Sequence, residues 1–267
     1  MATDRGANHG HRRRTRAGSR VRELAASAGP PLAVAALGVV GWWWAIQASG
    51  VPPVVFPGPR DVAVALAAEW QTLLGAAGIT AATAGLGLIA GGAVGVALAL
   101  AMVASETAAA VARPYVVALR IVPLVAVAPL LFRWFGHGLG ARALLAATLA
   151  VFPVTVAAYD GLRATPREYL DLARSVGAPT GARLVRVRLP AAAPETFAGL
   201  KVAAAASVVG AVVAEFLTLT AGLGYRVFHA STRLQTPRMI AALFALAALG
   251  VAFYLVPAFV ERRIRRR

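Results

Sequence analysis

Cysteine is absent from the chain, which excludes disulfides, thiol nucleophiles and cysteine-ligated metals. Histidine is almost as scarce. His9 and His11 lie near the start, and His137 and His229 stand singly, so no spacing suits a metal ion. No G-x-x-x-x-G-K-[S/T] run occurs, and the chain therefore has no P-loop with which to hold ATP itself. Charge is sparse as well. Charged residues make up 14% of the sequence, against about 25% in a soluble domain. The acids number 11 against 27 lysines and arginines, too few for a catalytic cluster at one interface, and none is evident.

What fills the chain instead is apolar. Hydrophobic residues reach 59% and the mean hydropathy is +0.69, values that describe an integral membrane protein. The net charge of +16 does not point to nucleic acid, because the arginines sit in tails and loops between apolar runs, where positive-inside topology accounts for them. Residues 1–29 form a basic tail without apolar periodicity, expected to be disordered and cytoplasmic and able to touch anionic headgroups. Residues 30–267 are expected to form one transmembrane domain.

Six apolar runs approach the ~20 residues a bilayer requires. They fall near Pro31–Ala48, Ala76–Val103, Tyr115–Phe132, Ala141–Tyr159, Thr196–Leu217 and Met239–Val260. The expected fold is thus all-α, with about six transmembrane helices. Before the second run, Val62, Leu66, Trp70 and Leu73 share a face, so Arg60–Leu73 is expected to be an amphipathic helix on the outer surface. Gly87, Gly91 and Gly95 form a small-residue ridge suited to close helix approach, within one subunit or between two. Pro123 and Pro129 interrupt the third run, and carbonyls freed by proline are tolerated where protein or a cavity satisfies them. A kinked helix beside a translocation path and a purely structural kink both fit.

On this reading 21 of the 27 basic residues lie on one side. The other six are Arg60, Arg133, Arg142, Arg226, Arg233 and Arg238. The asymmetry places both termini, and the polar stretch 160–195, in the cytoplasm. Few ionisable residues fall inside the runs. Glu215, near the outer end of the fifth, is the functional candidate, as a gate residue or a partner of Arg226; it could also simply end the span. Lys201 is expected to snorkel to headgroups, and Asp160 to pair with Arg163.

The stretch YLDLARSVGAPTGARLVRVRLP, Tyr169–Pro190, interrupts the apolar pattern. Tyr169, Leu172, Ala173 and Val176 recur at helical spacing as one apolar stripe. Gly177 stands where a helix would close, with positive φ, and Pro179 follows. A second short helix is expected from Thr180 to just before Pro190, with Arg183 and Arg186 on one side.

This helix–glycine–helix module resembles the cytoplasmic EAA loop of ABC importer permeases. Asp171-Leu172-Ala173 stands in place of E-A-A, Gly177 is the glycine, and Val187-Arg188-Leu189-Pro190 is the ending. Asp for Glu and Leu for the first Ala are departures. Over roughly residues 50–262 the chain is similar to the sulfonate, taurine, nitrate and thiamin-precursor importers. FPGPRDVAVAL, RIVPLVAVAPLLFRWFG, ARSVGA, LPAAA and VVAEF followed by GLGY carry that likeness in order. The resemblance implies a type I permease fold, a permease homodimer, a separate ABC ATPase that binds the ATP, and an extracellular solute-binding protein. It makes Tyr169, Asp171, Leu172, Ala173, Val176, Gly177, Leu189 and Pro190 candidates for ATPase coupling, and Glu215, Pro123 and Pro129 candidates for the gate or path. No cofactor is implied in this chain. An ion-coupled secondary transporter would call for midplane acids in broken helices, and only Glu215 comes close. A membrane-embedded lipid enzyme would call for clustered acids or histidines at one interface.

Overall fold

The computed structural model describes residues 29–30, 33–52, 54–121 and 123–264. The basic tail up to residue 28 and the last three arginines lie outside them. Within the described residues the chain is helical and contains no strand. The helices are α1 (Ala33–Ser49), α2 (Pro59–Ala104), α3 (Glu106–Ile121), α4 (Leu124–Phe135), α5 (Leu139–Arg163), α6 (Arg167–Ser175), α7 (Thr180–Arg183), α8 (Leu189–Thr218), α9 (Leu223–Thr232) and α10 (Thr236–Ile264), with a π-helical turn, Leu184–Arg188, between α7 and α8.

Four of these are long and apolar enough to cross a membrane: α2, α5, the continuous run from Thr180 to Thr218, and α10. The pair α3 and α4, whose axes are bent by 100° relative to each other, makes a fifth if taken as one span. The expected first span is α1, a shorter apolar helix. The third run is therefore a sharp break rather than a kink. Pro123 stands at the N-terminal boundary of α4 with extended backbone, as expected of a residue with no N–H to give the preceding turn.

The amphipathic segment Arg60–Leu73 is not a separate surface helix. It is the beginning of α2, which runs unbroken for 46 residues, roughly 70 Å of helix against a hydrocarbon core of ~30 Å. No proline lies between Asp61 and Ala104 to break it. A helix lying flat needs such a break. The apolar face of this first part is buried against protein: Val62 and Leu73 are buried, Leu66 packs on a cluster with Leu223, Val227, Ala241 and Ala242, and Trp70 points away, exposed. The connector after residue 218 contains a ten-residue helix, α9, which supplies that partner surface.

The centre of the bundle is α2, α5 and α8, which cross one another on small residues. The Gly87, Gly91, Gly95 ridge faces α5 of the same chain. A β-carbon on Gly91 would sit 2.5 Å from the Ala147 carbonyl oxygen and 2.8 Å from Ala150 Cβ. On the other side of α5, a β-carbon on Gly210 of α8 would sit 2.7 Å from Ala146 Cα. Ala146, Ala150, Val154, Ala203 and Ala204 are fully buried between them. In lipid, where apolar side chains gain nothing by leaving the solvent, such close backbone approach is what holds helices together.

Two intramembrane charges differ from expectation. Lys201 of α8 does not snorkel; it pairs with Glu261 near the end of α10 at 2.6 Å, both largely buried. Arg163 turns to the Tyr159 hydroxyl at 3.2 Å and makes no ion pair with Asp160.

Candidate functional site

The connector between α5 and α8 builds the first site. Its helix α6 has nine residues, too few to be stable alone in water. It is held at three points. Thr165 Oγ1, buried, donates to the Leu162 carbonyl at 3.2 Å and ties the approach to the end of α5. Leu170 and Ala173, three apart, turn half-buried toward the bundle. The C-terminus closes on Gly177, whose φ is +69°. There the Ala178 N–H donates to Ala173 O at 2.9 Å and the Gly177 N–H to Arg174 O at 2.9 Å. These are the two bonds of a Schellman closure, which places its left-handed residue at the glycine.

This geometry divides the apolar stripe read from the sequence. Ala173 belongs with Leu170 on the inward face. Tyr169, Leu172 and Val176 stay 59%, 65% and 75% exposed, three large apolar groups on one side of a short helix that no other described residue covers. Asp171 bonds Arg174 within the helix at 2.8 Å, with both side chains exposed, a pair worth little to stability.

Beyond Gly177 the chain departs from the expected helix that stops before Pro190. α7 passes through the π-turn into α8 without a stop. Leu189 N–H donates back five residues to the Leu184 carbonyl, which widens the helix where the Pro190 ring would otherwise strike the carbonyl one turn earlier. Pro190 therefore lies in the first turn of α8 rather than ending its predecessor. Leu189 packs, with Leu184, on buried Ala99, Ala158, Leu162 and Ala192. It anchors the loop to α2 and α5 and is not part of the exposed stripe.

The second site lies at the other end of α8. Glu215 is fully buried, so it does not end the span at the interface. Its Oε2 accepts from Thr80 Oγ1 at 3.1 Å and from the Gly224 N–H at 2.8 Å. Thr80 Oγ1 in turn accepts from the Leu223 N–H at 2.8 Å. The carboxylate thus joins α2, α8 and the start of α9, and Arg226 is not its partner. Gly222, at φ +106°, lies directly against the carboxylate, where any β-carbon would collide with it. The GLGY stretch is accordingly the seat of Glu215. Glu215 Oε1 and Arg142 Nε and Nη1 are buried without a hydrogen-bond partner among the described residues. Thr80 was the member that sequence reading passed over; its signal was a polar residue within an apolar run.

Pro123 and Pro129 are both exposed, on the side of α4 away from the chain's own core. The inward side carries Leu124, Ala128 and Phe132, packed on Ala141, Leu145 and Ala214. Among the described residues no cluster of His, Asp and Glu could hold a metal ion.

An all-α bundle of small-residue crossings, with an exposed amphipathic loop at one end and a buried carboxylate clasp at the other, is the build of a polytopic membrane protein. Residues 91–266 match the family described as binding-protein-dependent transport system inner membrane component, and the chain belongs to that family. A probable ABC transporter permease protein of Haemophilus influenzae is 35% identical over 224 residues, covering 84% of this chain and 91% of that one. The taurine transport system permease protein TauC of Escherichia coli is 30% identical, with 84% of each chain covered. The formylaminopyrimidine transport permease protein ThiX of Halalkalibacterium halodurans is 33% identical over 64% of this chain and 69% of its own length. In structure, the chain superposes on a protein titled as an amino acid ABC transporter with histidines, with a TM-score of 0.60 at 19% identity, covering 75% of this chain and 97% of that one. That likeness establishes the fold: an all-α, polytopic type I permease. The family is a transport subunit and not an enzyme; ATP hydrolysis belongs to a separate subunit.

Proposed function

We propose that the chain is the permease subunit of an ATP-driven importer, that it carries a small solute of the sulfonate, nitrate or vitamin-precursor class, and that α6 is the element docking into the ATPase. The observation that carries this reading is the exposed stripe of Tyr169, Leu172 and Val176 on a helix otherwise fixed to the bundle. Three large apolar groups on a polar loop call for a partner surface. The names of relatives, which include taurine and formylaminopyrimidine permeases, support the solute class. Two copies of the chain form the path, lined in part by the outward prolines of α4, and an extracellular binding protein delivers the solute. Both termini face the cytoplasm. Glu215 serves the outer gate by holding α9 to α2 and α8.

Co-purification tests the docking. Leu172→Glu puts a charge in the middle of the stripe without touching Leu170, Ala173 or Gly177. The expected result is a permease that inserts normally but no longer retains its ATPase. Undiminished ATPase in the preparation would remove the support for α6 as the docking element.

A further inference from the structure

A cavity of about 620 Å³ opens at the end of the bundle that bears α6. Its wall is formed by the last turn of α2, by α3, by the end of α5 and by the start of α6. Four arginines line it: Arg113, Arg163, Arg167 and Arg188. None of the four makes an ion pair among the described residues. The nearby acids are Glu106 on the same wall and Asp160 on an adjoining pocket, and neither is bridged to any of them.

Two of these cations are held in place. Arg113 Nη2 donates to the Tyr159 hydroxyl at 2.9 Å and Arg163 Nη1 donates to the same oxygen at 3.2 Å. Their guanidinium carbons also lie 5.7 Å and 5.6 Å from the centre of the Tyr159 ring. One neutral phenol therefore holds two like charges, with no carboxylate between them. A smaller cavity of about 220 Å³ adjoins through Leu170 and Arg188 and adds Arg183 and Arg174, the latter already paired with Asp171; the Nε of Arg183 is buried without an acceptor. Like charges gathered at the edge of a low-dielectric bundle repel one another. An anion seated among them reverses the sign of that interaction.

From this geometry we infer an oxyanion-binding site in the Tyr159 cavity, with Arg113 and Arg163 as its principal ligands and Arg167 and Arg188 on its rim. The class is a phosphate or sulfonate. Such a group offers three or more acceptor oxygens to several guanidinium forks at once, whereas a carboxylate is satisfied by one fork. Two sources carry this chemistry, the headgroup of an acidic phospholipid and a free oxyanion. The inference needs only the fold, and its failure would leave the docking of α6 untouched.

The test uses the full chain. Delipidated protein in neutral detergent is titrated with inorganic phosphate and with methanesulfonate at low ionic strength. In parallel, protein is placed in phosphatidylcholine discs containing phosphatidylglycerol, and retained lipid is counted by native mass spectrometry. Arg113→Gln with Arg163→Gln is expected to weaken binding by about tenfold or more, since two charge-assisted hydrogen bonds are lost. Tyr159→Phe, which keeps both charges and removes their shared acceptor, is expected to weaken it less. Arg233→Gln, just past the end of α9 and outside the cavity, should change nothing. If the double glutamine variant fails to fold, Arg113→Lys with Arg163→Lys keeps the charge and removes the forks, and the same direction is expected. Saturable phosphate or methanesulfonate binding assigns the free oxyanion, and phosphatidylglycerol retention alone assigns the lipid. No binding of any probe by the unaltered chain would overturn the site, as would an equal loss in Arg233→Gln.

Discussion

The backbone N–H of Gly224 donates to Glu215 Oε2 at 2.8 Å, so a buried acid near the end of α8 is bound by the first turn of α9. The buried carboxylate therefore serves first as a clasp. Glu215→Ala leaves the Gly224 N–H without its acceptor and removes one from the Thr80 hydroxyl. Each stranded buried group costs about 1–3 kcal/mol. Glu215→Gln keeps an acceptor oxygen and should cost less. Thermal unfolding in detergent should rank the proteins unaltered, Gln, Ala in falling order. Gly222→Ala should fall further, because it adds a β-carbon at positive φ against the carboxylate. Equal melting points for the alanine and unaltered proteins would show that the clasp holds nothing.

The α2 ridge gives a sharper contrast, because glycines on one helix differ in what surrounds them. A β-carbon on Gly91 meets Ala147 O and Ala150 Cβ, while one on Gly75 or Gly78 has nothing within 4 Å. Gly91→Leu should lower the yield of folded protein sharply by forcing α2 and α5 apart. Gly75→Ala should be neutral or slightly stabilising, since alanine is the better helix former by about 1 kcal/mol. Fluorescence-detected gel filtration of the solubilised proteins measures both. Normal yield from Gly91→Leu would mean that the α2–α5 contact is dispensable.

Much of this was legible in the sequence because it is periodic or local. The spacing of Gly87, Gly91 and Gly95 announces a close contact, and Gly177 announces a helix closure with positive φ. What was not legible depends on partners distant in the chain. Glu215 was read toward Arg226, eleven residues away, but its hydroxyl partner is Thr80 on another helix. Arg163 was read toward Asp160, three residues away, but turned to Tyr159 and shares it with Arg113 of α3. Pro190 was read as a stop because a proline usually is one; the π-turn that absorbs it has no sequence signature of its own. Trp70 and Ala173 were each placed on the wrong side of a stripe, since spacing gives the stripe but not which of its edges meets the core.

Orientation follows from charge, with 21 of the 27 basic residues on one side under the proposed topology. Reporter fusions after Arg267 and within 51–59 should therefore report opposite sides, the first cytoplasmic and the second external. The helix order requires the same contrast, because α2 starts at the end of the bundle where α10 starts and α10 ends at the other. A C-terminal fusion active outside the cytoplasm would place α6 beyond reach of an ATPase.

The α6 closure supplies the last prediction, and it turns on backbone conformation at one residue. Gly177 holds φ at +69°, and a β-carbon there has no neighbour within 4 Å. Crowding therefore cannot explain any effect of substitution; only the left-handed backbone can. A β-branched residue resists that region strongly, whereas asparagine enters it with modest cost. Gly177→Val should open the closure, misdirect Tyr169, Leu172 and Val176, and abolish ATPase co-purification and uptake while membrane insertion persists. Gly177→Asn should retain most of both. Gly181→Ala, four residues on, also has open space around it and no positive φ; it should behave as the unaltered chain. If valine and asparagine at 177 retain equal amounts of ATPase, the direction of α6 is not set by this residue, and the docking surface must be held by Leu170 and Ala173 alone.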